Sequence, residues 1–166
     1  GVVTSPDYVA IDRELLVKIR EILPSTSEVI ELMRTQDFYG PFPRESLNDF
    51  YEFLRYCKTP EFEFLDADLE SLRGELESHI TKFLRLTGRY TFPLKTVPEF
   101  NRIAIPDFES YQGAAHLAKN EDHYNELIQQ TRDRAEKISR ELNSLAEEIY
   151  KTYHELMRLG RRKLAV

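Results

Sequence analysis

Tryptophan is absent from this chain, and cysteine occurs once, at Cys57. A single cysteine excludes an internal disulfide, so the core must hold without covalent staples. It also fits a reducing compartment. No apolar run approaches the roughly 18 residues of a membrane span, and no signal-peptide pattern opens the chain. Gly1 in place of an initiator methionine points to a trimmed or processed chain, from which a targeting or membrane segment has room to be missing. The glycine-rich signatures of phosphate loops and dinucleotide sites are absent, as are G-x-S-x-G and C-x-x-C. The sequence therefore offers no motif for catalysis, and a non-enzyme is expected. Basic residues are the minority: Lys and Arg number 23 against 29 Asp and Glu, a net charge of −6. That balance argues against nucleic acid as a partner.

What is present is helical patterning. The 166 residues are enough for one domain with a sizeable core, and ten Phe with nine Tyr supply its bulk. From Asn120 to about Gly160 the sequence reads as one long helix. Ile128, Thr131, Ala135, Ile138, Leu142, Leu145, Ile149, Thr152, Leu156 and Leu159 step alternately by three and four, a heptad seam of about four repeats. Asn120 is the expected cap and Gly160 the expected stop. Glu136 with Arg140 and Glu147 with Lys151 are spaced as i,i+4 ion pairs. Such a helix runs roughly 60 Å and cannot bury its stripe alone.

A second seam lies at 66–88: Leu69, Leu72, Leu76, His79, Phe83 and Leu86, with Asp66 as cap and Gly88 as stop. It is about half as long. Before it, 12–65 holds three short helices. Asp12 is read as the cap of the first, after an extended lead-in over 1–11, and Pro24 as its end. Ser25-Thr26-Ser27-Glu28 reads as a capping box for the second. The third begins near Pro43 or Ser46, with Leu47, Phe50, Tyr51, Leu54 and Cys57 on one face. Residues 89–119 form a proline- and aromatic-rich connection, packed onto the helices rather than disordered, with one short helix between 107 and 119. The expected architecture is a single all-α domain over 1–166: a helical bundle built on a long antiparallel-type, coiled-coil-like hairpin, with the three short helices packed on it.

Candidate sites are few. His116 and His123 are seven apart, too far along a helix to share a metal without a bridging group, so a polar loop-to-helix junction is the better reading. No metal and no cofactor are expected. His79 at a seam position, with Tyr90 and Phe92 from the connection, outlines a ligand pocket. Cys57 at the end of an apolar face reads as a small buried hydrophobe. Glu61, Glu63, Asp66, Asp68 and Glu70 lack the glycine and the terminal glutamate of a calcium loop and read as helix-start electrostatics. Phe38, Tyr39 and Phe42 in the Gly40-Pro41 turn, and the basic end Arg158, Arg161 and Arg162, are the expected partner surface.

These features favour a helical protein–protein interaction or regulatory module, part of a larger protein, that binds a protein partner or a second copy of itself. The alternative is a small-ligand sensor with its pocket between the helices and the 89–106 loop. The expected location is cytoplasmic, with membrane proximity through the basic end where a longer parent protein is anchored.

Overall fold

The computed structural model describes residues 6–103 and 114–166. It is mostly helical. Helices α1 (Pro6–Ile22), α2 (Glu28–Thr35), α3 (Asn48–Cys57) and α4 (Ala67–Tyr90) precede the long α5 (Glu121–Leu164). A 3-10 turn, Arg44–Leu47, leads into α3. The chain is not wholly α-helical. Strands β1 (Phe42–Pro43), β2 (Thr91–Pro93) and β3 (Phe100–Ile103) form a small antiparallel sheet in the order β1-β3-β2. Pro43 and Pro93 lie on the edge strands, where a missing N–H breaks no ladder, and β3, the central strand, has none. Alternating aromatic and proline residues over 89–106 thus belong partly to a sheet, not to a loop alone. Of the short helix expected over 107–119, residues 114–117 are helical and 107–113 lie outside the described residues.

Local chemistry accounts for most helix starts. Ser27 caps α2 by accepting from the Ile30 N–H, so the cap is Ser27 rather than a box opened by Ser25. Asp66 caps α4 by accepting from the Asp68 and Leu69 N–H groups at 3.0 Å each. Asn120 caps α5 by accepting from His123 N–H at 2.8 Å. The first helix departs from expectation. It starts at Pro6, a residue that suits the first turn because its missing N–H would have no partner there, and Asp12 lies in its interior. Asp12 is a cap nonetheless, for another element. It is fully buried and accepts from Leu65 N–H at 2.7 Å and Asp66 N–H at 2.9 Å, at the threshold of α4.

Neither expected glycine stop holds. Helix α4 passes Gly88 to Tyr90, and α5 passes Gly160 to Leu164, closing on Ala165 with φ of 54°. Gly160 serves packing instead. A Cβ there would lie 2.8 Å from Leu16 Cδ2, so only a glycine lets α5 approach α1 this closely.

One buried cluster joins all five helices, from Leu16, Ile19 and Leu23 of α1 to Leu142, Ile149 and Leu156 of α5. Phe38 packs edge-to-face on Phe42 and Phe83, with centroids 5.3 and 5.1 Å apart, and Phe50 joins Phe83 at 6.4 Å. Each such side chain contributes roughly 1.5–3 kcal/mol through burial. The C-terminal half of α5 is met by α1 and α2 as well as by α4. The Tyr153 hydroxyl donates to Leu23 O, Arg13 Nε donates to Leu164 O at 2.9 Å, and Arg20 Nη2 donates to Val166 O at 2.9 Å.

Leu69, Leu76 and Phe83 on α4 and Ile128, Ala135, Leu142, Ile149, Thr152 and Leu156 on α5 are buried as expected, and the intervening positions of the core seams are displaced by one residue. On α4 the buried stripe is Leu69, Arg73, Leu76, Ile80, Phe83 and Thr87; on α5 it is Ala135, Ser139, Leu142, Ala146, Ile149, Tyr153, Leu156 and Gly160. Small residues at 139, 146 and 160 permit close approach and carry little hydrophobic signal. Arg73 is buried because Glu70 and Glu77 neutralise it, Glu77 at 3.1 Å. The larger residues that mark the expected seams, Leu72, His79 and Leu86 on α4 and Thr131, Ile138, Leu145 and Leu159 on α5, are only half-buried. They sit at the edge of the core.

Candidate functional site

Five of these half-buried residues, Leu72, Leu86, Thr131, Ile138 and Leu145, line a groove along the flank of α4 and α5. Its central section, about 690 Å³, is lined by Lys82, Arg85 and Leu86 of α4 and by Lys137, Arg140, Glu141, Ser144 and Leu145 of α5. A second section, about 520 Å³, lies beyond the end of α4. Arg89, Tyr90, Phe92, Ala114 and Leu117 face Leu127, Gln130, Thr131, Arg134 and Ile138 across it. In the opposite direction a third section, about 480 Å³, is lined by Leu72, Glu75, Tyr150, Lys151, Thr152, His154 and Glu155. Helical spacing places these sections in one line. Lys82, Arg85 and Arg89 stand at i, i+3 and i+7 on α4; Arg134, Lys137, Glu141 and Ser144 follow the same rule on α5.

The electrostatics of the first two sections are one-sided. Six cations line them, Lys82, Arg85, Arg89, Arg134, Lys137 and Arg140, and Glu141 is the one carboxylate among the lining residues. Among the described residues none of the six forms an ion pair; Arg89 lies over the Tyr90 ring at 5.2 Å. Of the two expected i,i+4 pairs on α5, Glu147–Lys151 forms at 3.1 Å, whereas Arg140 leaves Glu136 and faces the groove. A molecule with a net charge of −6 therefore keeps an unneutralised cationic strip over an apolar floor.

The residues singled out in the sequence fall in different places. Tyr90 and Phe92 line the second section, Phe92 at 53 % exposure, but His79 is not among its lining residues. His79 lies farther back along α4, half-buried, and its buried Nδ1 has no hydrogen-bond partner among the described residues. The aromatic turn is not an exposed surface. Phe38 and Phe42 are fully buried and Tyr39 half-buried, because Asn143 Oδ1 accepts from Phe38 N–H at 2.9 Å and draws the turn onto α5. Asp37 accepts from the Tyr39 N–H and the Asn143 amide, and these bonds hold its carboxyl below the usual range. At the basic end Arg158, Arg161 and Arg162 are exposed. Arg158 and Arg161 line a cavity of about 580 Å³ with Arg20, Ser25 and Thr26. Lys163 bridges Asp66 at 3.0 Å and Asp68 at 2.8 Å, joining the end of α5 to the start of α4.

His123 serves the start of α5: its Nδ1 accepts from the Lys119 N–H at 2.9 Å while its own N–H reaches Asn120, a reciprocal cap. His116 is exposed. Among the described residues no group of three or more His, Cys, Asp or Glu converges as a metal site. The acidic run resolves into separate tasks, with Asp66 capping and Glu70 accepting from Phe64 N–H at 2.8 Å while holding Arg73. Cys57 is half-buried beside Arg73 Nη1 at 3.5 Å, and burial pushes its thiol up to about 12. No described helix is long and apolar enough to cross a membrane.

The sequence held the signal for the groove in the charges interleaved with the expected seams. Lys82, Arg85, Arg134 and Lys137 flank seam positions, Arg89 and Arg140 lie close by, and read alone they pass as a solvated face. Compared with protein-family models, with curated proteins and with solved structures, the chain matches none.

Proposed function

We propose that this protein is a non-catalytic helical interaction module, and that α4 and α5 form an antiparallel, coiled-coil-like hairpin whose free flank receives a protein partner. The observation that carries this reading is the groove: apolar on its floor, cationic on its walls, and unpaired in an acidic molecule. Interfaces of this kind combine a recessed apolar centre with a polar rim. The thiol of Cys57, held protonated by burial, supports a structural rather than a nucleophilic role for the one cysteine. Panning a display library of helical segments against the immobilised protein tests the reading. Enrichment of segments that compete with one another for one site supports it; no enrichment above bare support opposes it.

A second reading, a small-ligand sensor, draws on the concavity lined by Tyr90 and Phe92. It requires a small apolar dye to bind there and to be displaced by Phe92→Ala. A dye that binds only when helical segments are absent would favour the first reading.

A further inference from the structure

We infer that the α4/α5 groove is a docking site for an acidic amphipathic helix of a partner protein. This rests on the interaction-module reading and adds the chemistry of the partner. Three observations meet here. The first is the floor. Leu86 of α4 lies in the cationic part of the groove with Ile138 and Leu145 of α5, which are one heptad apart, and all three are half-buried. A third helix laid along the groove meets these side chains with apolar anchors at i, i+3 or i+4, and i+7, the geometry of helix-in-groove recognition.

The second is the walls. Lys82 and Arg85 on one side face Lys137 and Arg140 on the other, and none of the four has an ion-pair partner among the described residues. Like charges drawn along one groove repel, and carboxylates arriving on both flanks of a helix relieve that repulsion. A basic or neutral helix does not. The third is the shape. The apolar floor runs as an open strip between two parallel rows of cations, which a helix can lie along, and an apolar floor has no use for a phosphate backbone. The charges set orientation and encounter rate, and the floor supplies the burial.

Fluorescence anisotropy with two designed peptides tests this. Both are fluorescein-labelled three-heptad helices with leucine at a and d. One carries glutamate and the other lysine at e and g. The glutamate peptide binds the wild-type protein, the lysine peptide binds at least about tenfold more weakly, and added salt weakens the first. Joint replacement Arg85→Glu and Lys137→Glu lowers affinity for the glutamate peptide at least about tenfold and raises it for the lysine peptide. Both sites are exposed, so the melting temperature stays within about a degree. Should that variant fail to fold, Arg85→Gln with Lys137→Gln gives a smaller loss in the same direction. The inference is overturned by no binding of the glutamate peptide, by equal binding of both peptides, or by indifference to the substitutions. Binding only to phosphatidylserine vesicles overturns it too, as does a doubled mass in light scattering that the same variant abolishes. If library-selected segments bind variant and wild type equally, the module reading stands and the groove inference falls. If neither segments nor peptides bind, both fall.

Discussion

Replacing Asp12 with alanine removes a buried carboxylate that ties the middle of α1 to the threshold of α4. Its two oxygens accept from Leu65 and Asp66 N–H groups at 2.7 and 2.9 Å, and no part of the side chain is exposed. Hydrogen bonds to a charged group each contribute roughly 1.5–3 kcal/mol net. Alanine relieves the carboxylate of its desolvation, but it leaves two backbone donors to find water at a partly buried site. A net loss of about 2–4 kcal/mol follows. For a chain of this size each kcal/mol moves the melting temperature by roughly 2–4 °C, so Asp12→Ala should melt about 5–15 °C lower. Asparagine does not rescue it, because its amide turns a donor toward one of the two N–H groups. Glu14→Ala, exposed on the same helix, should stay within about 0.5 kcal/mol. Thermal denaturation followed by circular dichroism measures all three. An Asp12→Ala melting temperature within about a degree of wild type would refute the reasoning.

Further outcomes follow from the packing. Gly160→Ala gains helix propensity of about 1 kcal/mol yet drives a methyl into Leu16, an overpacking cost of about 1–3 kcal/mol. The double-mutant cycle with Leu16→Ala should therefore show coupling above about 0.5 kcal/mol, and additivity would count against the close approach. Leu142→Ala, fully buried, should cost about 3 kcal/mol in urea denaturation, while Leu145→Ala at the groove edge should cost clearly less. Equal losses would mean that the core seam is misplaced. Cys57 should alkylate slowly with iodoacetamide at pH 8 in the folded protein and rapidly in urea, since burial favours its neutral thiol. Because its folded value exceeds the ordinary 9.0, the linked stability is full below pH 9 and is lost as the pH rises toward 12. Rapid native alkylation would contradict the burial.

How far the sequence reveals this fold depends on the size of the residues at each seam. Heptad periodicity located α4 and α5 and both capping residues, Asp66 and Asn120, because capping chemistry is local. It missed alternate seam positions by one residue. Ser139, Ala146, Gly160, Arg73 and Thr87 occupy core positions that an apolar pattern cannot mark, and Leu72, Leu86, Ile138 and Leu145 drew the seam toward themselves. Glycine stops were misread because Gly88 and Gly160 sit where a neighbour or the helix's own continuation decides, not the residue's freedom. The small sheet was hidden for a similar reason. Phe42–Pro43 and Phe100–Ile103 are short and far apart in the chain, and only the fold brings them together. The role of Asp12 is likewise non-local: its partners lie at 65 and 66. Tyr90 and Phe92 were legible as cavity-lining residues because aromatic side chains in a connection have to pack somewhere. Phe38 and Phe42 obeyed the same logic and went inward.

Methyl NMR of leucine- and isoleucine-labelled protein, titrated with the glutamate-flanked peptide, reports on the groove floor directly. The account predicts that Leu86, Ile138 and Leu145 methyl resonances move together and saturate. Ile11 and Leu65, exposed hydrophobic residues on other elements, should stay fixed. Shifts confined to Ile11 or Leu65, or no shift at saturating peptide, would contradict a partner site between α4 and α5.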